Sequence, residues 1–275
     1  MAFIRLNPLV TLVGGGVWGL SSECDGNVYL VATGGEAALV DAGTGIDPGR
    51  IVDNVRQAGV DRLRYIFLTH AHADHAGGAG AIREALGGEV LAAEPDATLV
   101  ESGDDEALGL SAARRSGIYP ARYRFPHTRV DTRVADGVTY PLGGLTVQAI
   151  TVPSHSPGSV CYLLDAGAGG GRQLFSGDVV FVGGRVSIIN APGCELAAYR
   201  NHIAKLAGLD VQALFPGHLV VRLTGAQRHV SAAVNAFQGS RLPPTLVSLS
   251  IPEHPDSTPE PPSGQRVLRS GRARG

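Results

Sequence analysis

Residues 65–75 read Tyr65-Ile66-Phe67-Leu68-Thr69-His70-Ala71-His72-Ala73-Asp74-His75, an apolar run that ends in three histidines and an aspartate. The run Tyr65 to Leu68 has the length and residue types of a short buried strand. Where such a strand stops at a sheet edge, the following loop carries function. Imidazole and carboxylate together suit zinc, iron or manganese. Extended backbone points alternate side chains the same way, so His70 and His72 can address one position. Asp74 and His75 can then turn toward a second. The stretch predicts the nucleus of a metal site, for two ions.

Outward from this loop the chain alternates short apolar runs with helical stretches. Strands are expected at Leu9–Val13, Val28–Ala32 and Ala37–Val40, the last two joined by a Gly34-Gly35 turn. Asp47-Pro48 predicts an N-cap and first helical position for a helix to about Ala58, ended by Gly59. A helix over Ala79–Leu86 and a strand over Glu89–Ala92 follow. Residues 94–135 are less regular, with one candidate helix at Asp104–Ser116. Further strands are expected at Leu145–Val152, Val160–Leu164, Gln173–Phe175, Arg185–Ile189 and Ala213–Phe215, with helices at Glu195–Leu206 and Ala226–Phe237. The two halves repeat the same coarse order and divide near residue 140. Two packed sheets with helices outside accommodate that order. The expected organisation is one domain over 1–240, with 94–135 as an insertion near the site. Residues 241–275 form a Pro/Arg-rich tail with little structure of its own.

Composition narrows the function classes. The chain has 275 residues, 44% of them hydrophobic, enough for a substantial core. Its net charge is −2, and Lys205 is the only lysine. Phosphate backbones need clustered positive charge, so nucleic acid is not the expected partner. Cys24, Cys161 and Cys194 are too few and too scattered for a disulfide framework. No apolar stretch is long enough to span a membrane, and no signal peptide is recognisable. The expectation is a cytoplasmic protein acting on a small molecule. Its oligomeric state, a homodimer included, stays open.

Asp41, His155, Asp178 and His218 share one pattern: an acidic or imidazole side chain just after a β run, beside glycine or proline. If those strand ends converge on the loop 70–75, His70, His72 and His155 surround one ion. Asp74, His75 and His218 then surround the other, with Asp178 bridging. Alone, His155 and His218 read as turn residues; beside the cluster they read as ligands. His127, His202, His229 and His254 lack that context and read as surface or packing residues.

The ordered set His70-x-His72-x-Asp74-His75, Ser154-His155-Ser156-Pro157-Gly158-Ser159, Gly177-Asp178 and Pro216-Gly217-His218 resembles the motifs of the metallo-β-lactamase superfamily. Asp41 in Val40-Asp41-Ala42-Gly43 matches that superfamily's first motif. The resemblance covers about residues 25–220 and implies an α/β fold, an αββα four-layer sandwich of two mixed sheets with helices outside. It also implies a binuclear site, usually zinc, with iron or manganese as alternatives. It gives Asp41 the role of orienting a ligand loop by hydrogen bonds, work that Thr69 can share; for Asp41 a simple turn cap is the competing reading.

The chemistry implied is hydrolysis, with a metal-bridged hydroxide attacking a thioester, ester or lactone carbonyl. Asp74 and His218 lie on the ion that stabilises the leaving group. Asp178 points to the glyoxalase II-like and lactonase-like branches, because antibiotic-cleaving members usually lack it. Ser154 stands where glyoxalase II usually has glycine, and little chain follows His218 to form that family's glutathione-binding region. A mono-iron persulfide dioxygenase-like oxidoreductase is the alternative, and a phosphodiesterase or nuclease is disfavoured by the charge balance. Tyr119, Tyr123 and Tyr199 are candidates for a proton donor or substrate contact, with packing as the competing role.

Overall fold

The computed structural model describes residues 2–239 and 241–246. Its first half holds β1 (Ile4–Arg5), β2 (Val10–Gly14), β3 (Val28–Thr33), β4 (Glu36–Val40), β5 (Tyr65–Phe67), β6 (Glu89–Ala93) and β7 (Thr132–Val134). The second holds β8 (Thr139–Leu142), β9 (Leu145–Thr151), β10 (Val160–Asp165), β11 (Arg172–Gly177) and β12 (Val211–Pro216). The helices are α1 (Pro48–Gln57), α2 (Ala73–Ala76), α3 (Ala79–Leu86), α4 (Asp96–Ser102), α5 (Leu110–Arg115), α6 (Gly167–Gly170), α7 (Leu196–His202) and α8 (Gln227–Gln238).

Strands β1 to β7 pair in chain order in one sheet, antiparallel up to β4 and parallel from there. The second sheet runs β12-β11-β10-β9-β8, with only β11–β12 parallel. Both sheets are mixed, and the chain crosses from one to the other between Val134 and Thr139, where the halves were expected to divide.

Period-2 alternation sorts the strand residues into layers. Val160, Tyr162 and Leu164 of β10 face the first sheet, in a core with Val40, Phe67, Phe175 and Phe215. Cys161 and Leu163 point the other way, toward Tyr199, Ile203, Val230 and Phe237 of the helical layer. On the far side of the first sheet, Leu39 and Ile66 pack under Val55, Ile82 and Val100. Phe67 and Tyr162 meet across the sandwich with ring centroids 4.8 Å apart. Burying each such side chain contributes about 1.5–3 kcal/mol. The result is the four-layer αββα arrangement.

Several local expectations change. Asp47 stands at the N-cap of α1, but its side chain makes no capping hydrogen bond. Asp104–Ser116 is not one helix: Asp104 Oδ1 accepts the amides of Glu106 and Ala107 in a turn, Gly109 turns left-handed (φ 68°), and only Leu110–Arg115 is helical. In the 94–135 segment, α4 and β7 belong to the sandwich itself. Arg185–Ile189 forms isolated bridges rather than a strand, at Arg185 and Val186. The partner of Val186 is Thr245, so the first residues of the expected tail dock on the domain; Val186 N–H donates to Pro244 O at 3.0 Å. The rest of the tail, 247–275, and with it His254, lies outside the described residues. Among the described residues, no helix is long and apolar enough to cross a membrane.

Candidate metal centre

All the ligand-type residues singled out above lie at one end of the sandwich, where β4, β5, β9, β11 and β12 stop. After β5 the chain stays extended at His72 (φ −59°, ψ 147°), then coils into the single turn α2, which carries Asp74 and His75. Hydrogen bonds sew this loop to the second half and to the segment before β3. Val160 N–H donates to Thr69 O at 2.8 Å, and Gly26 N–H donates to Asp74 O at 3.1 Å. Tyr162 Oη donates to Leu68 O at 2.9 Å. Glycine is required where the strand ends crowd: a Cβ on Gly217 would stand 2.3 Å from Asp178 Oδ1 and 2.6 Å from His75 Cε1.

Three groups of ligand atoms result, each within 4.8 Å: His70, His72 and His155; His70, His75 and Asp178; Asp74, His75 and His218. His155 Nε2 and His72 Nδ1 are 2.9 Å apart. His75 Nε2 lies 3.2 Å from His218 Nε2 and 3.4 Å from Asp74 Oδ2. Asp178 stands between, its Oδ1 3.6 Å from His75 Nε2 and its Oδ2 3.6 Å from His155 Nε2 and 3.5 Å from His218 Nε2.

The outer nitrogens of the His70, His75 and His155 rings are occupied, which turns the inner ones toward the centre. His155 Nδ1 donates to Ser187 O at 2.9 Å. His75 Nδ1 donates to Asp41 Oδ2 at 2.8 Å. His70 Nδ1 meets Thr69 Oγ1 at 3.0 Å, and that hydroxyl donates to Asp41 Oδ2 at 2.9 Å. Asp41 Oδ1 also accepts the Thr69 amide at 2.8 Å. Asp41 thus orients both the ligand loop and His75, from a left-handed backbone (φ 63°) that aspartate tolerates better than most residues.

His70 Nε2 and Asp178 Oδ1 are buried with no hydrogen-bond partner among the described residues. Leaving such atoms unpaired is costly. A cation among these donors would satisfy both, so the residues fit metal ions.

Electrostatics divides the donors. Burial pushes the His70 and His155 imidazoles well below the ordinary histidine range and His72 to about 4, so these three are neutral and ready to ligate. Burial also opposes charge on His75 and His218, but the surrounding carboxylates outweigh it and raise both. Burial raises the Asp178 carboxyl, with His218 and His75 offsetting part of the effect. Without metal, the carboxylates therefore favour added protons on the His75–His218 pair, and that contribution to stability fades as pH rises through the raised pKa values. A divalent ion must displace those protons. Zinc affinity is expected to rise with pH over the same range, with proton release on binding. Calorimetry in buffers of different ionisation enthalpy measures that release; none at pH 7 would contradict it.

The three tyrosines separate. Tyr119 Oη donates to Asp74 Oδ1 at 2.7 Å, leaving Oδ2 to face His218 at 3.0 Å. Tyr123 Oη donates to Thr44 O, and Tyr199 Oη reaches Asp178 O and Ser187 O. These last two hold backbone carbonyls. Tyr119→Phe is expected to weaken metal binding by up to about tenfold and to cost about 1 kcal/mol of stability; metal titration and thermal melts check both.

Two carboxylates escaped the sequence reading. Asp25 accepts the amide and hydroxyl of Thr44 at 2.8 and 2.6 Å, bracing the loop after β4. Asp96 reaches both ligand loops. It follows the apolar run of β6 beside Pro95, the same pattern that marked Asp41 and Asp178, so a signal for it existed.

A family model for the metallo-β-lactamase superfamily matches residues 22–218. The chain belongs to the metallo-β-lactamase superfamily. Among curated superfamily relatives, it is 34% identical over 197 residues to a hydroxyacylglutathione hydrolase of Anaeromyxobacter dehalogenans, covering 70% of this chain and 61% of that one. It is 25% identical over 234 residues to an atrochrysone carboxyl ACP thioesterase of Aspergillus fumigatus, covering 85% and 62%. The chain thus spans about half to three-fifths of the length of the curated relatives it matches. A solved metallo-β-lactamase of Cronobacter sakazakii superposes with a TM-score of 0.66 at 24% identity, over 86% of this chain and 93% of that one. That likeness shows the fold, two mixed sheets with helices, as expected.

Proposed function

We propose that this chain is a binuclear metal hydrolase that cleaves a thioester, ester or lactone bond in a small molecule. The observation that carries the reading is the position of Asp178, a buried carboxylate between two groups of converging donors, its Oδ1 without a hydrogen-bond partner among the described residues. His70, His72 and His155 would hold one ion, Asp74, His75 and His218 the other, with Asp178 shared. Zinc is the expected metal, because imidazole and carboxylate donors without cysteine suit it; iron or manganese would use the same donors. Bound there, a metal pair supplies a water acidified toward neutrality and a Lewis acid for a carbonyl oxygen.

The side chains define the direction of approach. His70, His75 and His155 are sealed, whereas His218 and Asp74 keep 26% and 15% of their side chains exposed. Asp74 and His218 are therefore open to an approaching substrate, as is the partly exposed His72 of the other group, and that access supports the place of Asp74 and His218 beside the leaving group. Ile118, next to Tyr119, and Val220, just past His218, are 60% and 54% exposed. This apolar surface suits the acyl part of a substrate. The names of the relatives, a hydroxyacylglutathione hydrolase and an ACP thioesterase, favour a thioester.

The test is a hydrolysis screen over thioesters, lactones, aryl esters and phosphodiesters, with zinc, iron and manganese quantified on the same sample. Turnover of a carbonyl substrate with about two ions per chain is expected. Less than about one ion per chain, or turnover of phosphodiesters alone, would overturn the proposal. Oxygen uptake with a persulfide would move the reading to the dioxygenase alternative.

A further inference from the structure

Asp96, at the start of α4, is fully buried and belongs to none of the donor groups. Its Oδ2 accepts the Ala71 amide at 2.8 Å and the Ser156 hydroxyl at 2.7 Å. Its Oδ1 accepts the Gly158 amide at 2.7 Å. Ala71 sits between His70 and His72, and Ser156 directly follows His155. One carboxylate therefore grips the two loops, one from each half, that carry the three-histidine group.

The surroundings are built for this grip. Ser159 Oγ accepts the Ser156 amide at 2.9 Å and lies 2.8 Å from Ser156 Oγ, so the Ser156 hydroxyl proton is free to go to Asp96. A Cβ on Gly158 would stand 2.6 Å from Asp96 Cβ and 2.7 Å from its Cγ, so glycine allows the approach. The other donor group is held differently. His75 is oriented by Asp41 and Asp74 by Tyr119. The loop of His218 is tied through Asn27, whose amide donates to Gly217 O at 2.7 Å.

We propose that Asp96 is a positioning residue that sets the spacing of His70 and His72 against His155, and so governs metal affinity at that position separately from the Asp74–His75–His218 group. The inference rests on the metal reading above. All three groups that Asp96 meets are donors. In Asp96→Asn, the amide NH2 replaces one acceptor and opposes either the Gly158 or the Ala71 amide, so one of those two contacts is lost and the grip on its loop weakens. Ser156→Ala releases one hydroxyl and leaves both amide contacts.

The experiment is zinc titration against a chromophoric chelator, with melts of the metal-free proteins alongside. Wild type is expected to hold two ions; a wild type holding none overturns the metal reading and this inference together. Asp96→Asn is expected to weaken one of the two affinities by about 10–100-fold and leave the other within about twofold. Ser156→Ala should weaken the same one by a smaller factor. Repeating Asp96→Asn on a His218→Ala background, which removes a donor of the other position and leaves the three-histidine group whole, identifies the ion affected. Parallel weakening of both affinities with a lowered melting temperature would mean Asp96 merely stabilises the fold, and unchanged affinities would remove its role altogether. Either result overturns the inference while the metal reading stands. If Asp96→Asn does not fold, Ser156→Ala decides: selective weakening supports the proposal, and equal or no weakening ends it.

Discussion

The Asp178→Ala variant is expected to lose metal and turnover while its metal-free form melts at or above the wild-type temperature. Asp178 is the carboxylate within 3.6 Å of nitrogens from both outer donor groups, His155 on one side and His75 and His218 on the other. Its removal should reduce the metal content from about two ions per chain to one or fewer. Loss of the paired ions forfeits several kcal/mol of charge stabilisation, about a thousandfold in rate at 1.36 kcal/mol per tenfold. The stability effect runs the other way. Burial raises the carboxyl, and Oδ1 has no hydrogen-bond partner among the described residues, so the metal-free fold disfavours the ionised group more than its histidine neighbours favour it. Metal analysis, steady-state kinetics and melts on one preparation test all three. A large fall in melting temperature, or retained turnover, would contradict the role given to Asp178.

The second large effect is expected at Asp41. Its two oxygens accept from the Thr69 amide, the Thr69 hydroxyl and His75 Nδ1, so every neighbour is a donor. Asn tolerates the same left-handed backbone but places an NH2 against one of those donors. Asp41→Asn should therefore lose about 10–100-fold in metal affinity with a modest stability change. Asp41→Ala adds backbone strain at φ 63° and leaves buried donors unpaired, for a loss of about 3 kcal/mol or more. Chelator competition reads the first effect and denaturant melts the second. Equal behaviour of the two variants would mean Asp41 is only a turn cap.

Much of this site is legible in the chain because its donors sit where strands stop, and strand ends are marked by abrupt changes from apolar to polar residues. His70, His72, Asp74, His75, His155, Asp178 and His218 converge as their positions after β runs suggested. The parts that were not legible depend on contacts distant in sequence. Arg185–Ile189 has β-forming residues, yet Ser187 O is taken by His155 and Tyr199. Tertiary demand there overrides local propensity. Ser187 acts through its carbonyl, which no residue type reveals. Helix α4 begins beside Pro95 and Asp96 in a segment without clear apolar periodicity, so its start passed as loop. Gly109 carried the signal that splits the expected helix at 104–116, and the polar run around it obscured the break.

Every donor group takes two members from the first half of the chain and one from the second. Ribosomal synthesis delivers His70, His72, Asp74 and His75 well before His155, Asp178 and His218. Until the second sheet docks, no proposed ion can find its full set of protein donors, and a partly made chain has little hold on zinc. Loading would then follow assembly, and a bound pair of ions would certify that the two halves of the sandwich have closed in register.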